Sequence, residues 1–272
     1  FLACFLYGGY LYKKGLLKDA KEEFKQAIDV FEANGGIHAD SHFYYGAILK
    51  VEKKIVEAET HFKTVLKLNP THADCLCEYA ILLLDYKNNL DMAEIRFKEC
   101  LEVQPSHLKC LRNYARLMKN MDENLNPDKW IDTCDLLARV IAVSPNDTET
   151  LLQYALLVQK KLNMPDNAKR AYEMLLDLDP SNQEALIQYS FMLFKQLPPV
   201  SNKLELPKKI VDVTEQIKSQ LTILRTIDNV KEEYIHTAHA IEEKLEQYDS
   251  NINTSQKNGR FDEDATCFCS IC

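Results

Sequence analysis

The chain has 272 residues, 46% of them hydrophobic and 27% charged, enough apolar matter for one large core or two small ones. Only seven Gly and nine Pro occur, a scarcity that argues against sandwiches, barrels and nucleotide-binding α/β folds, whose corners need glycine. Lys plus Arg total 33 against 41 Asp plus Glu, and a net charge of −8 lacks the footprint of a general nucleic-acid binder.

In chain order, the opening FLACFLYGGYLYKKG is apolar but carries no basic stretch ahead of it, so it does not read as a signal peptide. No stretch reaches the roughly 20 uninterrupted apolar residues of a membrane span. Without a starting Met, the chain reads as a fragment or a processed product. Its first residues place Tyr7-Gly8, Leu11, Ala20, Phe24 and Ala27 in a frame that then recurs. Residues 42–70, 76–105, 111–119 with 133–145, 151–180 and 186–194 each open on an aromatic followed by a small residue. The pairs are Tyr45-Gly46, Tyr79-Ala80, Tyr114-Ala115, Tyr154-Ala155 and Tyr189-Ser190, and a closing proline falls at Pro70, Pro105, Pro145 and Pro180. The period is about 34 to 40 residues, which signals a stack of similar units.

The physics of one unit follows from these residues. Two amphipathic helices approach closely only where side chains are small. Gly8, Gly46, Ala80, Ala115, Ala155 and Ser190 fill that role on the first helix; Ala20, Ala58, Ala93 and Ala168 fill it on the second. One turn later a bulky plug follows on the same face: Phe24, Phe62, Phe97 and Tyr172. Proline then ends the second helix. One pair cannot bury both its faces, whereas stacked pairs can.

This combination resembles the tetratricopeptide repeat over residues 1 to about 196. The resemblance implies an all-α, right-handed α-solenoid of antiparallel helix pairs, whose first helices line a concave groove for peptides or proteins. Units are expected near 1–38, 39–72, 73–107, 108–147, 148–182 and 183–199. The fourth departs from the pattern, with Thr133 and Leu137 at the Ala and aromatic positions and a long loop, NMDENLNPDKW, that carries Trp130. The first ends in Asn34-Gly35-Gly36 without a proline, which predicts a kink between the first two units. Pro198-Pro199 interrupts the sixth.

Pro207 suits a first helical position, and Ile210, Val213, Ile217, Leu221, Leu224, Ile227, Val230, Tyr234, Ala238, Ile241, Leu245 and Tyr248 follow at steps of three and four. One long C-terminal helix is favoured over 200–249, capping the stack and free to form a coiled coil. The alternative is two capping helices broken near Thr226-Asp228. Residues 250–272 read as a disordered, Cys-ended tail.

No constellation suited to catalysis, cofactor or metal is present, so the chain reads as a non-enzymatic interaction scaffold. Cys75 and Cys77 project about 200° apart on a helix and do not chelate. His236 and His239 have metal-ligand spacing, but a solvated pair is the simpler reading. Cys4, Cys100, Cys110 and Cys134 behave as small hydrophobes, and the odd total of nine Cys suits a reducing, cytoplasmic setting.

The resemblance also places the groove. Its positions hold Phe5, Gly9 and Tyr12; Phe43, Ala47 and Lys50; Cys77, Ile81 and Leu84; Arg112, Arg116 and Lys119; Leu152, Leu156 and Gln159; Ile187, Phe191 and Phe194. Lys109, Arg112, Arg116 and Lys119 share an arc of about 80°, a basic stripe suited to a protein or peptide with acidic and apolar residues. The bland alternative is a solvated face neutralised by neighbours such as Glu149. Leu152, Leu156, Ile187 and Phe191 form an apolar end of the groove, either open or covered by the terminal helix.

The Lys and Asn clamp that grips Hsp70 and Hsp90 tails is absent: Phe43, Ala47 and Glu78 stand at its positions. Nucleic acid is disfavoured because only one unit is basic. A membrane partner requires lipidation at Cys269, within a Cys-a-a-X-like end, with Cys267 as a second site; a thiol metal site and an unmodified tail are the alternatives. A further alternative is a substrate-recruiting fragment of a larger enzyme, similar to the repeat arm of peptide glycosyltransferases.

Overall fold

The computed structural model describes residues 2–120, 128–197 and 208–258. Every regular element among them is an α-helix, and the chain divides into two compact units between Pro145 and Asn146.

The first unit contains α1 (Leu2–Lys13), α2 (Leu17–Ala33), α3 (Ala39–Val51), α4 (Ile55–Leu68), α5 (Ala73–Lys87), α6 (Leu90–Val103), α7 (Leu108–Asn120) and α8 (Lys129–Val143). They pack as the consecutive pairs α1·α2, α3·α4, α5·α6 and α7·α8, and α2, α4 and α6 also lean on the next first helix. The small residues sit at the crossings. A β-carbon added to Gly46 would lie 3.2 Å from the Phe62 ring, and one added to Gly8 would lie 3.1 Å from Phe24. Ala20, Ala58 and Ala93 are sealed with the plugs Phe24, Phe62 and Phe97. In the fourth pair Thr133 and Leu137 are buried instead, and the Thr133 hydroxyl is satisfied by donating to the Lys129 carbonyl at 2.7 Å.

Local chemistry sets where each helix starts and stops. The residues before Pro70, Pro105 and Pro145 are Asn69, Gln104 and Ser144, with φ near −135° and ψ between 80° and 89°. This is the extended conformation that a following proline ring enforces. Between paired helices the turn needs a left-handed residue: Gly15 (φ 77°), Lys53 (φ 62°) or Asn88 (φ 50°). The first helices α3, α5 and α7 begin on histidine caps. His38 Nδ1 accepts from the Ser41 N–H at 3.2 Å, His72 Nδ1 from Cys75 at 3.2 Å and His107 Nδ1 from Cys110 at 3.1 Å. An accepting Nδ1 leaves the ring proton on Nε2. Nε2 of His107 lies 2.9 Å from Asp74 Oδ1, and Nε2 of His72 lies 3.4 Å from Asp40 Oδ1. The His72 and His107 caps thereby also tie one first helix to the one before it.

The kink expected after Asn34-Gly35-Gly36 does not occur. Gly35 turns the chain at φ 74°, but α2 still packs on α3. Phe24 stacks on Tyr44 with ring centroids 5.1 Å apart, and Lys21 pairs with Glu52 at 2.8 Å.

The second unit contains α9 (Thr148–Lys160), α10 (Pro165–Leu178), α11 (Gln183–Lys195), α12 (Lys208–Thr226) and α13 (Glu232–Asn258). α9 pairs with α10 around buried Ala155, Ala168 and Tyr172, with Asn163 (φ 49°) in the turn. The single long C-terminal helix of the sequence reading is corrected to two, α12 and α13. Asn229 enters the left-handed region at φ 58°, which ends a right-handed helix, and asparagine tolerates that conformation better than most residues. α12 also has a different role from the one expected, because it pairs with α11 as the second helix of the sixth repeat. Ser190 meets Gln220 there in a buried 2.8 Å hydrogen bond, in place of an apolar plug. α13 packs on α11 and α12 through Tyr234, Ala238, Ile241, Leu245 and Tyr248. It continues to Asn258, nine residues beyond the expected end of helix at 249.

Candidate partner-binding face

In the first unit the first helices α3, α5 and α7 touch one another along one face. Phe43 and Ala47 on α3, and Cys77, Ile81 and Leu84 on α5, all placed in the groove by the sequence, are buried. They are structural because the neighbouring first helices lie close enough to cover them. The polar layer above is ordered by charge. Lys50 on α3 and Lys109 on α7 both donate to Glu78 on α5, whose side chain is 12% exposed. Burial opposes the Glu78 charge, yet the two ammonium groups outweigh it and lower its pKa. Tyr12 on α1 is raised by burial first and by Glu78 second, while Lys109 pulls the other way, so charge on α5 and α7 reaches α1.

Arg116 Nη2 reaches Asp85 Oδ1 at 2.8 Å. The carboxylates that answer Lys109 and Arg116 both come from α5, the preceding first helix. Lys50 and Lys109 are answered by Glu78 and Arg116 by Asp85. Lys109, Arg112, Arg116 and Lys119 are exposed.

Stacked helix pairs with sealed small residues at each crossing match solved structures along most of their length. PilF of Pseudomonas aeruginosa aligns with a TM-score of 0.60 at 16% identity, over 86% of this chain and 94% of that one. YrrB, described as a tetratricopeptide-repeat protein with an unusual peptide-binding site, aligns at 0.57 and 14% identity, over 81% and 97%. A tetratricopeptide repeat protein from Parabacteroides merdae aligns at 0.54 and 16% identity, over 97% and 94%. The chain has the tetratricopeptide-repeat fold. At these identities the likeness carries the fold alone; no family model and no curated protein matches the sequence.

Within this tetratricopeptide-repeat frame the second unit presents a different surface. Leu152 and Leu156 on α9 and Phe191 on α11 are half-buried, and the Lys195 ammonium lies 4.5 Å from the Phe191 ring centre. Ile187, expected in the groove, is 1% exposed on the helix that α13 packs against. It belongs to the core, and the apolar patch is reduced to Leu152, Leu156 and Phe191. Cys267 and Cys269, the lipidation candidates, lie outside the described residues, as do Pro198-Pro199, Pro207 and most of the long loop before Trp130. No helix among the described residues is long and apolar enough to cross a membrane.

Sequence reasoning missed two further features. Cys77 on α5, Cys100 on α6 and Cys110 on α7 form one buried thiol cluster, in which hydrogen bonding to Cys100 and burial raise the Cys77 thiol. A shallow cleft of about 390 Å³ opens at the α12–α13 turn beside Leu224, Ile227, Val230 and His239. Both gather residues from different helices, and no local spacing announces them.

Proposed function

We propose that this chain is a non-catalytic docking scaffold whose first unit holds a peptide or protein segment with acidic and apolar residues. One observation supports the reading: Lys109, Arg112, Arg116 and Lys119 are all exposed along α7, on the face that α3, α5 and α7 share. A ligand carboxylate there gains Arg112, Arg116 and Lys119, while its apolar side chains find the stems of Lys109 and Arg116 and the ring of Tyr12. The neighbour described as having a peptide-binding site supports the class of partner, as does a frame whose first-helix surfaces are spared from the crossings. Lys109, Arg112, Arg116 and Lys119 are the contact residues, with Leu152, Leu156 and Phe191 as a second, apolar patch.

The test is a labelled synthetic peptide that alternates Glu or Asp with Leu or Phe, titrated against the chain and its Arg112→Glu/Arg116→Glu variant. Affinity should fall at least tenfold in the variant and decline with added salt, while circular dichroism stays unchanged. Equal binding by both proteins would remove the basic face from the function.

A further inference from the structure

A second surface, separate from the basic face, lies on α1. Leu2, Leu6, Tyr7 and Tyr10 are 61%, 61%, 54% and 56% exposed, an apolar stripe at steps of three and four along one helix. The repeat itself supplies a control for Tyr10 and Tyr7. Tyr10 stands two residues after the small residue of its helix; Ile48, Leu82, Leu117, Leu157 and Met192 occupy the same place in the later first helices, and none is more than 8% exposed. Tyr7 stands one residue before the small residue; of the tyrosines in the same place, Tyr79, Tyr114 and Tyr189 are buried and Tyr45 and Tyr154 half-buried. Inside each unit this face is covered by the second helix of the preceding pair, as α2 covers α3, α4 covers α5, α6 covers α7 and α10 covers α11.

The chemistry of that covering helix is also repeated. Tyr79 donates its hydroxyl to Glu59 at 3.1 Å, Tyr114 to Glu94 at 3.2 Å and Tyr189 to Glu173 at 2.9 Å. In α4 and α6 the glutamate directly follows the crossing alanine, Ala58 or Ala93, with the phenylalanine plug on the next turn. We propose that the α1 face is a docking site for one amphipathic helix of this second-helix type, with a small residue and a plug over Tyr10 and Leu6 and a glutamate accepting from the Tyr7 hydroxyl. The interface inside the stack thereby continues outward through α1, and an apolar stripe of this size is unusual on a free surface.

The experiment lengthens the full chain by copying residues 39–72, the α3–α4 pair, directly ahead of Phe1. The link supplies the helix at high effective concentration and avoids the poor helicity of a short free peptide. Amide exchange of α1 should slow at least tenfold in the lengthened chain. Tyr10→Lys should abolish that gain while leaving the original chain unaffected, and Glu→Gln at the copied equivalent of Glu59 should reduce it. If the lengthened chain does not fold, the same exchange readout with a synthetic peptide of residues 54–70 at millimolar concentration decides. Unchanged α1 exchange overturns the proposal. So does a dimer of the original chain that Tyr10→Lys dissociates in sedimentation, which would make a second copy the occupant. Binding to phosphatidylcholine vesicles that is lost in Tyr10→Lys would equally overturn it in favour of a lipid surface.

Discussion

The same three groove positions are Arg112, Arg116 and Lys119 on α7 and Ile187, Phe191 and Phe194 on α11. On α7 they stand exposed, held in part by acidic groups of the preceding first helix; on α11, Ile187 is sealed and Phe191 half-covered. The backbone frame is equivalent in both, with Ala115 and Ser190 at the crossings. The repeat therefore dictates which positions touch the partner helix and leaves the others free to become a docking face or additional core.

The sharpest way to break this comparison is to place one charge at both sites. Ile187→Asp should cost roughly 3–5 kcal/mol, since it removes packing and buries an unpaired carboxylate. Lys119→Asp on the exposed face of α7 should stay within about 0.5 kcal/mol. Equal shifts in urea midpoint would show that the two faces are not differently covered.

Acid should next separate the two units. His42 and His61 bond through their Nδ1 atoms at 2.9 Å, with Glu32 3.6 Å from His42 Nε2. Burial, then the neighbouring His42, holds His61 down to about 4, against some relief from Glu57. The unfolded chain takes up that proton near 6.5. Stability is therefore complete above about pH 6.5 and is lost as pH falls towards 4, with a ceiling of about 3 kcal/mol. His61→Gln should flatten the profile of urea midpoint against pH. The histidines of the second unit, His236 and His239, are exposed.

Two smaller tests sharpen the distinction between frame and surface. Ala93→Leu should overpack the α5·α6 crossing at about 1–3 kcal/mol, measured by thermal melting, whereas Lys119→Leu on the free face should leave the midpoint nearly unchanged. Lys53→Gly should stabilise by about 1 kcal/mol, because lysine is strained at φ 62°. The corresponding Asn163→Gly in the second unit should gain much less, since asparagine tolerates the left-handed region.

The frame was legible because it rests on sterics within one sequence window. Gly46 and Phe62 must meet, and both types recur at fixed offsets. α12 was harder to place, since Ser190 and Gln220 substitute a hydrogen bond for the alanine–aromatic signature. The break at Asn229 was hidden because the apolar steps of three and four continue straight through it. At the candidate site the stripe on α7 could be read from helical arcs, but its counter-charges could not. Lys109–Glu78 and Arg116–Asp85 each span 31 residues, which joins neighbouring repeats and escapes an i,i+4 search. The histidine caps were visible only as histidines near helix starts; their acceptor role requires the imidazole orientation.

The double hold on Glu78 has a mechanical consequence. An incoming anion that draws Lys109 away leaves this carboxylate to Lys50 alone, so tension on the fourth helix pair is handed back to the second. The grip of the face should then depend on how readily three stacked layers yield together, and stiffening any one of them would alter affinity without touching the guest.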